Sequence, residues 1–461
     1  MDKQLTLQKQ YHLIGIGGIG MSAIAHLLLS RGIKVSGSDC KVSKTTDALK
    51  KSGAEIFIGH SPGNIDGAER IIYSSAIKED NPEFQEATRR GVSLIKRAQA
   101  LVELMEDKTV ITVAGSHGKT TTSSLVSYLL LEAGLFPTIA VGGIVKNIDT
   151  NASFGKGDFF VAEADESDGT FLYYKPRYSI ITNIDREHLD YYRDFPHIIG
   201  AYKDFMERTR PEGLLLCCYD DDNLRRLAAG YKNKCVLFGL NENADIYPRN
   251  IVFKDLTSSF DCYYNNSSLG RIDLALGGMH NISNSLSVIA LGLHLGIGIE
   301  VIKNALARYK GACRRQEVKF QGDGCLVIDD YAHHPTEIKA TLSAMQVLPR
   351  ERIIAVFQPH RYSRTELLMD DFSASFDGAD YVVITDIYAA SEASREGVDA
   401  AVMCDKIKKR YPDKQVHFVP KNQIVGHLLN MRAAGDLIIT LGAGDITKVC
   451  DELVEELKRK H

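Results

Sequence analysis

The sequence has few cysteines for its length, and they are not grouped. Nine cysteines occur among 461 residues, and apart from the neighbours Cys217 and Cys218 they stand singly, without a Cys-x-x-Cys pair. An odd number of scattered cysteines argues against a disulfide framework and against a zinc site. The composition therefore predicts a protein of the reducing cytoplasm.

An excess of positive charge is also lacking. The formal net charge is −4 at pH 7, and no segment is a dense run of lysine and arginine. Proteins that bind nucleic acid usually present a basic face to the phosphate backbone. Nucleic acid is therefore not expected as a partner.

Continuous apolar runs long enough to cross a bilayer are missing as well. The two longest uncharged stretches, residues 11–30 and 274–299, are interrupted by several glycines and by polar residues. Neither resembles a membrane span or a signal sequence, so we expect a soluble protein with no membrane partner. The length predicts about three domains at roughly 150 residues each.

The first motif lies near the start of the chain, in "YHLIGIGGIGMSAIAHLLLSRGIKVSGSD". The pattern predicts a strand, a glycine turn, a helix and a second strand that ends at Asp39. Gly15, Gly17 and Gly20 satisfy G-x-G-x-x-G, and Asp39 follows about 20 residues later, where an acid can hold a ribose hydroxyl. The motif does not distinguish a nicotinamide cofactor from a sugar nucleotide, and a tight turn that binds nothing remains an alternative.

A second glycine motif, "GSHGKTTT", stands between the strand-like "TVITVA" and a helical stretch from about Lys119 to Leu131. The usual phosphate loop would place a glycine at position 113, where this chain has valine. A loop between strand and helix nevertheless exposes backbone N–H groups and the positive end of the helix dipole. Lys119 adds a charge for the outer phosphates and Thr120 a ligand for Mg²⁺, so we predict a nucleotide site here over a chance triplet.

Carboxylates and one histidine follow two further apolar runs, in "FFVAEADESD" and "TNIDREHLD". Since oxygen ligands suit Mg²⁺, these strand ends predict a metal site, although a solvated loop histidine is the alternative for His188. The residues concerned are Glu163, Asp165, Glu166, Asp168, Asn183, Asp185, His188 and Asp190.

Two polar turns in the last third of the chain, "DDYAHHPTE" and "QPHRYSRTE", crowd histidines and arginines at strand ends. Arginine suits planar recognition of carboxylate or phosphate. We therefore expect an anion to bind there, with solvent-exposed loop charges as the alternative. The side chains concerned are His333, His334, His360, Arg361 and Arg364.

Taken in order, these motifs together with "GGMHNISNSL" and the C-terminal "LGAGDI" resemble the Mur ligases over nearly the whole chain. The resemblance implies an α/β protein of three domains. These are an N-terminal Rossmann-like domain for a uridine nucleotide (residues 1–106), a central P-loop ATPase domain with a mostly parallel sheet (107–310), and a C-terminal Rossmann-like domain (311–461). In this family the phosphate loop is a short Gly-x-x-Gly-Lys-Thr form, in which Gly115 is the first glycine.

The resemblance also implies an activity. It is closest to the branch that joins L-alanine to the carboxylate of UDP-N-acetylmuramate through an acyl phosphate, in peptidoglycan precursor synthesis. ATP and Mg²⁺ are the implied cofactors, the two small molecules are the implied partners, and the chain is expected to be a monomer or a homodimer.

Site residues follow by the same resemblance. The ATP contacts are Gly115, Ser116, His117, Gly118, Lys119, Thr120, Thr121, His280, Asn281, Asn284, Arg315 and Asp330. The metal ligands are Thr120, Glu163 and His188. The catalytic residues are Lys119, Glu163, His188, His333 and Arg361. The amino acid would meet Tyr331, His360 and Arg364. The uridine nucleotide would meet Gly15, Gly17, Gly18, Gly20, Ser22, Asp39, Ser74 and Ser75.

Departures and rivals are few. Ser116 replaces the usual threonine but keeps a hydroxyl, and "CRRQEV" stands where "RRF" is more typical. Lys203 lies where other members of the superfamily carry a carbamylated lysine, which is not expected in the alanine-adding branch. The main rival is a ligase that attaches a recycled murein tripeptide to the same nucleotide. A nicotinamide-dependent oxidoreductase or a nucleotide switch would leave the second glycine loop or the crowded arginine turn unexplained.

Overall fold

The computed structural model describes residues 10–74, 76–189, 191–322, 324–390 and 392–459. Within them the chain forms two compact units. The first comprises the described residues up to Arg249 together with Cys262–Gly270 and Ser283–Lys310, and the second comprises Asn250–Asp261, Arg271–Ile282 and the described residues from Gly311 onward. None of the described helices is both long enough and apolar enough to span a bilayer.

The first sheet has five parallel strands in the order β3-β2-β1-β4-β5. Its strands are β1 (Gln10–Ile14), β2 (Lys34–Asp39), β3 (Glu55–Ile58), β4 (Arg70–Tyr73) and β5 (Ser93–Lys96). Its helices are α1 (Ile19–Ser30), α2 (Lys44–Lys51), α3 (Pro82–Arg90) and α4 (Arg97–Leu104). Strand β1 is almost completely buried, as expected for a parallel strand covered on both faces.

The second sheet has ten strands in the order β15-β14-β13-β12-β11-β10-β6-β9-β7-β8. They are β6 (Thr109–Ala114), β7 (Thr138–Val145), β8 (Thr150–Ser153), β9 (Phe159–Glu163), β10 (Tyr178–Ile181), β11 (Leu214–Cys218), β12 (Cys235–Phe238), β13 (Ile246–Lys254), β14 (Thr257–Tyr264) and β15 (Ser267–Leu274). The accompanying helices are α5 (Lys119–Glu132), α6 (Phe195–Arg208), α7 (Asp222–Ala229), α8 (Met279–His294) and α9 (Ile299–Arg308).

The third sheet has six strands in the order β16-β17-β21-β18-β19-β20, parallel except for β16. They are β16 (Glu317–Gly322), β17 (Cys325–Asp330), β18 (Arg352–Phe357), β19 (Tyr381–Ile384), β20 (Gln415–Phe418) and β21 (Asp436–Leu441). The helices are α10 (Pro335–Met345), α11 (Tyr362–Leu367), α12 (Met369–Ser373), α13 (Ala400–Arg410), α14 (Ile424–Met431) and α15 (Ile446–Arg459). Two apolar clusters cover its faces.

Three mostly parallel sheets interleaved with helices confirm the predicted fold class. The division of the chain at residues 106 and 310 stays a prediction. The antiparallel pair β7–β8 and the strand β16 were not predicted, because the sequence motifs concern only the parallel strands that lead into polar turns.

The registers of three central strands bring the predicted site together. Strand β6 pairs in parallel with β9 on one side and with β10 on the other. Val113 lies opposite Glu163, and Ala114 lies opposite Ile181. The three polar segments that follow these strands therefore leave the sheet at the same edge, where ligands bind in open α/β sheets.

Candidate active site

The loop between β6 and α5 needs glycine at two positions. Gly115 has φ +126° and Gly118 has φ +82°, conformations that L side chains rarely adopt. A Cβ atom on Gly115 would overlap the side chain of Thr182, and one on Gly118 would come within 2.9 Å of Asn284 Oδ1. The loop is therefore packed closely, and α5 begins directly after Gly118 with its first N–H groups uncapped by any side chain.

The segment after β10 holds this loop in place. The backbone N–H of Asp185 donates to Ser116 Oγ at 2.8 Å, and that of His117 donates to Asn183 Oδ1 at the same distance. The Thr182 hydroxyl and the Asn183 amide both donate to the carbonyl of His117. The motifs "GSHGKTTT" and "TNID" thus form one surface, as predicted from the strand ends.

Lys119 points back across the loop. Its Nζ donates to the carbonyl oxygens of Gly115 and Ser116 at 2.6 and 3.1 Å, and to Glu166 Oε1 and Oε2 at 2.9 and 3.0 Å. Burial by itself lowers the pKa of Lys119, but the charges of Glu166 and Asp165 outweigh it and raise that pKa above its usual value. The lysine therefore carries a positive charge at the point where phosphate oxygens would lie.

Thr120 and Glu163, whose role as metal ligands stays a prediction, lie side by side. The Thr120 hydroxyl lies 3.3 Å from Glu163 Oε2, and Glu163 Oε1 accepts from the Ser123 hydroxyl at 3.0 Å and from the Gly142 N–H at 2.5 Å. A hydroxyl and a carboxylate oxygen are the hard donors that Mg²⁺ prefers. These two residues fit the ion.

His188 lies close to two further carboxylates, those of Glu166 and Glu187. Its Nε2 is 3.7 Å from Glu166 Oε1 and 3.6 Å from Glu187 Oε2, and the ligand atoms of all three residues lie within 4.8 Å of one another. This group suits a second cation. Glu166 belonged to the predicted acidic run, whereas Glu187 lies within the quoted "TNIDREHLD" segment, directly before His188, but was not among the residues selected from it.

The N-terminal glycine turn follows β1. Asp39 Oδ2 accepts from the backbone N–H of Gly17 at 2.9 Å, so this carboxylate already orders the turn. Gly15 has φ +79° and faces Ser74, and Gly18 is the N-cap of α1. Ser22 is buried, and its hydroxyl donates to the carbonyl of Ile19. This hydroxyl therefore already has a partner within helix α1. Ser75 lies outside the described residues.

In the second unit, the predicted Tyr331 follows β17 and lies beside two arginines that precede β16, of which only Arg315 was predicted. The guanidinium carbons of Arg314 and Arg315 both lie 5.0 Å from the ring centroid of Tyr331. Arg314 is anchored to the buried Asp329 and to the carbonyls of Gly442 and Gly444. Asp330 accepts from two backbone N–H groups, and burial raises its pKa to about 6 despite the charge of Arg315.

The predicted histidines lie close together in the same unit. His333 Nδ1 donates to the carbonyl of Tyr331 at 3.0 Å, and the His333 and His360 ring centroids are 5.7 Å apart. His360 accepts from Arg364 at 3.1 Å and stacks on Tyr388. Burial, with the neighbouring His333 and Arg364, lowers the pKa of His360 to about 2, so its ring is neutral. Arg361 starts the turn into α11 with φ +68°.

The residues of "HNISN" all lie on α8 but contact different groups. His280 Nε2 is 3.4 Å from the Gln316 amide, and burial lowers the pKa of His280 to about 4. The Asn281 amide donates to the carbonyl of Gly277, whereas Asn284 faces the phosphate loop at Gly118. Of these three residues, Asn284 is the one whose side chain lies beside the loop of Gly115–Thr121.

Three family models match three successive parts of the chain. They are described as Mur ligase family, catalytic domain, for residues 10–109, Mur ligase middle domain for 113–292, and Mur ligase, glutamate ligase domain, for 314–444.

Relatives of known name match over the same length. The UDP-N-acetylmuramate--L-alanine ligase of Aquifex aeolicus (strain VF5) is 42% identical over 97% of this chain and 98% of its own. The ligase of the same name from Desulfatibacillum aliphaticivorans is 44% identical over 96% of this chain and 98% of its own.

Solved structures agree with this fold. The UDP-N-acetylmuramate-alanine ligase MurC from Thermotoga maritima superposes with a TM-score of 0.85 at 28% identity, covering 98% of this chain and all of that one. A murein peptide ligase from Psychrobacter arcticus 273-4 gives a TM-score of 0.74 at 22% identity, covering 97% of this chain and 98% of that one, and at that identity it shows the fold alone.

Proposed function

The chain belongs to the Mur ligase family, and from that membership we propose that it joins L-alanine to the carboxylate of UDP-N-acetylmuramate while ATP is cleaved to ADP and phosphate. The observation that carries the proposal is the identity of 42–44% with alanine ligases over almost the full length of both chains. The loop of Lys119 and Thr120 beside Glu163 supplies the chemistry that such a ligase needs.

The first step is phosphoryl transfer. A carboxylate oxygen of the sugar nucleotide attacks the γ-phosphorus of ATP, the bond to the β–γ bridging oxygen breaks, and an acyl phosphate and ADP result. Because such transfers depend on positioning and charge neutralisation, the N–H groups of Gly115–Thr121 and the charge of Lys119 would hold the phosphates. Mg²⁺ held by Thr120 and Glu163, with a second ion at His188, Glu166 and Glu187, would neutralise further negative charge.

The second step forms the amide. The amine of alanine attacks the acyl carbon, the C–N bond forms, and the C–O bond to phosphate breaks. Arg364 would bind the α-carboxylate of alanine through its planar fork. With Nδ1–H of His333 donated to Tyr331, its Nε2 is the nitrogen that accepts protons, and His333 would take the proton that the amine loses. We expect the enzyme to act in the reducing cytoplasm, in keeping with its scattered single cysteines.

The rival within the family is addition of a recycled tripeptide. The high-identity relatives are named for alanine, whereas the murein peptide ligase is related at 22% identity. An oxidoreductase has no use for the loop at Lys119 or for the carboxylates around His188.

The test is purified full-length protein with ATP, Mg²⁺ and UDP-N-acetylmuramate, assayed for phosphate release against a panel of amino acids and the murein tripeptide. We expect release with alanine, weaker release with serine and glycine, and none with the tripeptide. A calorimetric titration with NAD serves as the control for the N-terminal turn. Release with the tripeptide alone would assign the chain to the rival reaction, and NAD binding tighter than that of the uridine nucleotide would refute the assignment of the turn.

A further inference from the structure

Arg97 connects the first sheet with the acidic segment of the central sheet. It is the first residue of α4, and its Nη2 donates to Asp165 Oδ2 at 3.1 Å, two residues beyond the end of β9. Only 26% of the Arg97 side chain is exposed. No sequence motif marked this arginine, since its partner lies 68 residues away in the chain.

The same guanidinium covers the N-terminal glycine turn. A Cβ atom on Gly20 would collide with Arg97 Nη1 and come within 3.1 Å of its Cδ, so the arginine occupies the space that only a glycine leaves. Gly20 lies in the first turn of α1, whose N-cap Gly18 offers no side-chain hydrogen bond. From the central sheet, the Asn151 amide also reaches this turn and donates to the carbonyl of Ile19 at 3.0 Å.

Asp165 lies between two cations. Its Oδ1 accepts from the backbone N–H of Ser167 at 3.1 Å, while its other oxygen faces Arg97. The adjacent Glu166 accepts two hydrogen bonds from Lys119 of the phosphate loop, so Asp165 has Arg97 on one side and the Lys119–Glu166 pair on the other. A change in the charge around Arg97 therefore changes the electrostatic potential at Asp165 and at the neighbouring phosphate loop.

We propose that Arg97 is a positioning residue that couples the binding of a diphosphate at the turn of Gly15–Gly20 to the binding of Mg²⁺ and nucleotide at the loop of Gly115–Thr121. The inference rests on the proposed function, because it takes the diphosphate to be that of the uridine nucleotide. It adds that the guanidinium of Arg97 pairs with Asp165 when the diphosphate is absent and with the diphosphate when it is bound.

The direction of the coupling follows from the charges. A diphosphate is a stronger partner for a guanidinium than a single carboxylate, since it offers more oxygens and more charge. When Arg97 turns to the diphosphate, Asp165 loses one of its two counter-charges, and the acidic segment attracts Mg²⁺ more strongly. The two ligands therefore tighten each other, and linkage requires that the factor be the same in both directions.

The experiment measures this factor in the full chain by calorimetry. UDP-N-acetylmuramate is titrated with and without a saturating, non-hydrolysable ATP analogue and Mg²⁺, and the analogue is titrated with and without the sugar nucleotide. For the wild-type chain we expect mutual tightening of at least about fivefold. Arg97→Met should abolish the tightening and weaken sugar-nucleotide binding, and Arg97→Lys should give intermediate values.

A second variant separates coupling from folding. Asp165→Asn should also abolish the tightening but should not weaken sugar-nucleotide binding, because Arg97 is then available to the diphosphate throughout. Arg70→Met is the matched control. Arg70, on β4, donates two hydrogen bonds of 2.7 Å to the carboxylate of Glu103, which lies on α4 like Arg97 but at the other end of that helix. That control should keep the tightening.

Persistence of the tightening in Arg97→Met, or in Asp165→Asn if the first variant does not fold, would overturn the inference. A wild-type chain that ligates alanine but shows no tightening would overturn it too, and would leave the proposed function intact. A wild-type chain that does not ligate alanine would instead refute the proposed function itself.

Discussion

The ammonium group of Lys119 lies among two carbonyl oxygens of its own loop and both carboxylate oxygens of Glu166. His188 Nε2 is also near Glu166, but at 3.7 Å it lies beyond hydrogen-bond distance, so we do not expect it to replace the charge of Lys119. We expect Lys119→Ala to lower the rate of ligation by at least about a hundredfold, because charge stabilisation at a transferring phosphoryl group is lost. Phosphate release measures the rate, and circular dichroism verifies the fold.

The control for Lys119 is another lysine of the first unit. Lys203 is exposed on α6, and Lys203→Ala should keep a near-normal rate. A folded Lys119→Ala protein with normal ligation would remove the loop from the reaction. Loss of activity in Lys203→Ala would revive a carbamylated lysine.

Arg364 tests the placement of the amino acid. Its Nη1 lies 3.1 Å from Nδ1 of His360, so the guanidinium stands beside the other residue predicted to contact the amino acid. Arg364→Lys keeps the charge but loses the fork, so we expect the KM for alanine to rise about tenfold or more while the KM for ATP changes little. Steady-state kinetics with each substrate varied in turn measure both values.

Arg395 provides the matched substitution for Arg364. It pairs with Glu366 at the surface of the same unit, and Arg395→Lys should change neither KM. If Arg364→Lys weakened only ATP, the side chain would belong to the phosphate site, and our assignment of the amino-acid contact would be wrong.

Among the structural elements, the turn from β6 into α5 depends most on backbone geometry. Gly118→Ala places a side chain at φ +82° and brings its Cβ within 2.9 Å of Asn284 Oδ1. We expect a loss of about 1–2 kcal/mol of unfolding free energy together with a higher KM for ATP, because the loop must shift to admit the methyl group. Thermal unfolding and initial-rate kinetics measure the two effects.

A substitution at Gly134 tests whether backbone strain alone explains the effect expected for Gly118→Ala. It follows α5 with φ +71°, and a Cβ there would meet nothing within 4 Å. Gly134→Ala should therefore cost similar stability but leave the KM for ATP unchanged. An equal rise in KM for both variants would show that the effect is general destabilisation.

Much of this architecture is predictable from sequence where glycines and periodicity act locally. The "TVITVA" strand, the helix from Lys119 and the second strand ending at Asp39 all appear where predicted. The grouping of Glu166 and Glu187 with His188 was not predictable, because it depends on which carboxylates the folded loops turn inward. Arg97 and Tyr388 were not predicted for the same reason, since each acts through a contact that the chain makes only after the sheets form.

For the whole molecule, stability in acid should depend on the buried Glu83 of α3. Its carboxylate accepts from Ser38, Asn64 and His60, and His12 Nε2 lies 3.7 Å away. Burial raises the pKa of Glu83, but the nearby His12 and the hydrogen bonds from Ser38 and Asn64 outweigh it and lower that pKa from 4.5 to about 2. A depressed carboxyl pKa contributes stability above about pH 4.5, and that contribution is lost as the pH falls toward 2.

Glu83→Gln should therefore lower the unfolding free energy at pH 7 by about 1.5–3 kcal/mol and flatten its decline between pH 4.5 and 3. Urea unfolding at several pH values measures both. Glu86→Gln on the same helix is the control, since its partners Arg89 and Arg90 are exposed and such pairs contribute little. Identical pH profiles for wild type and Glu83→Gln would contradict the role given to Glu83.

The strand order of the first sheet has a consequence for how quickly the chain reaches its native state. The central strand β1 pairs with β2 and with β4, whose partner residues lie some 60 positions later in the chain. Parallel pairing across such separations requires the intervening chain to close into a loop, and the entropy lost in doing so precedes any stabilising contact. This slows folding. A ribosome adding about 5–20 residues per second therefore releases β1 several seconds before its second neighbour exists. During that interval the apolar edge of β1 is open to association with other nascent chains, and recovery from denaturant at high protein concentration will be limited by aggregation more than by stability.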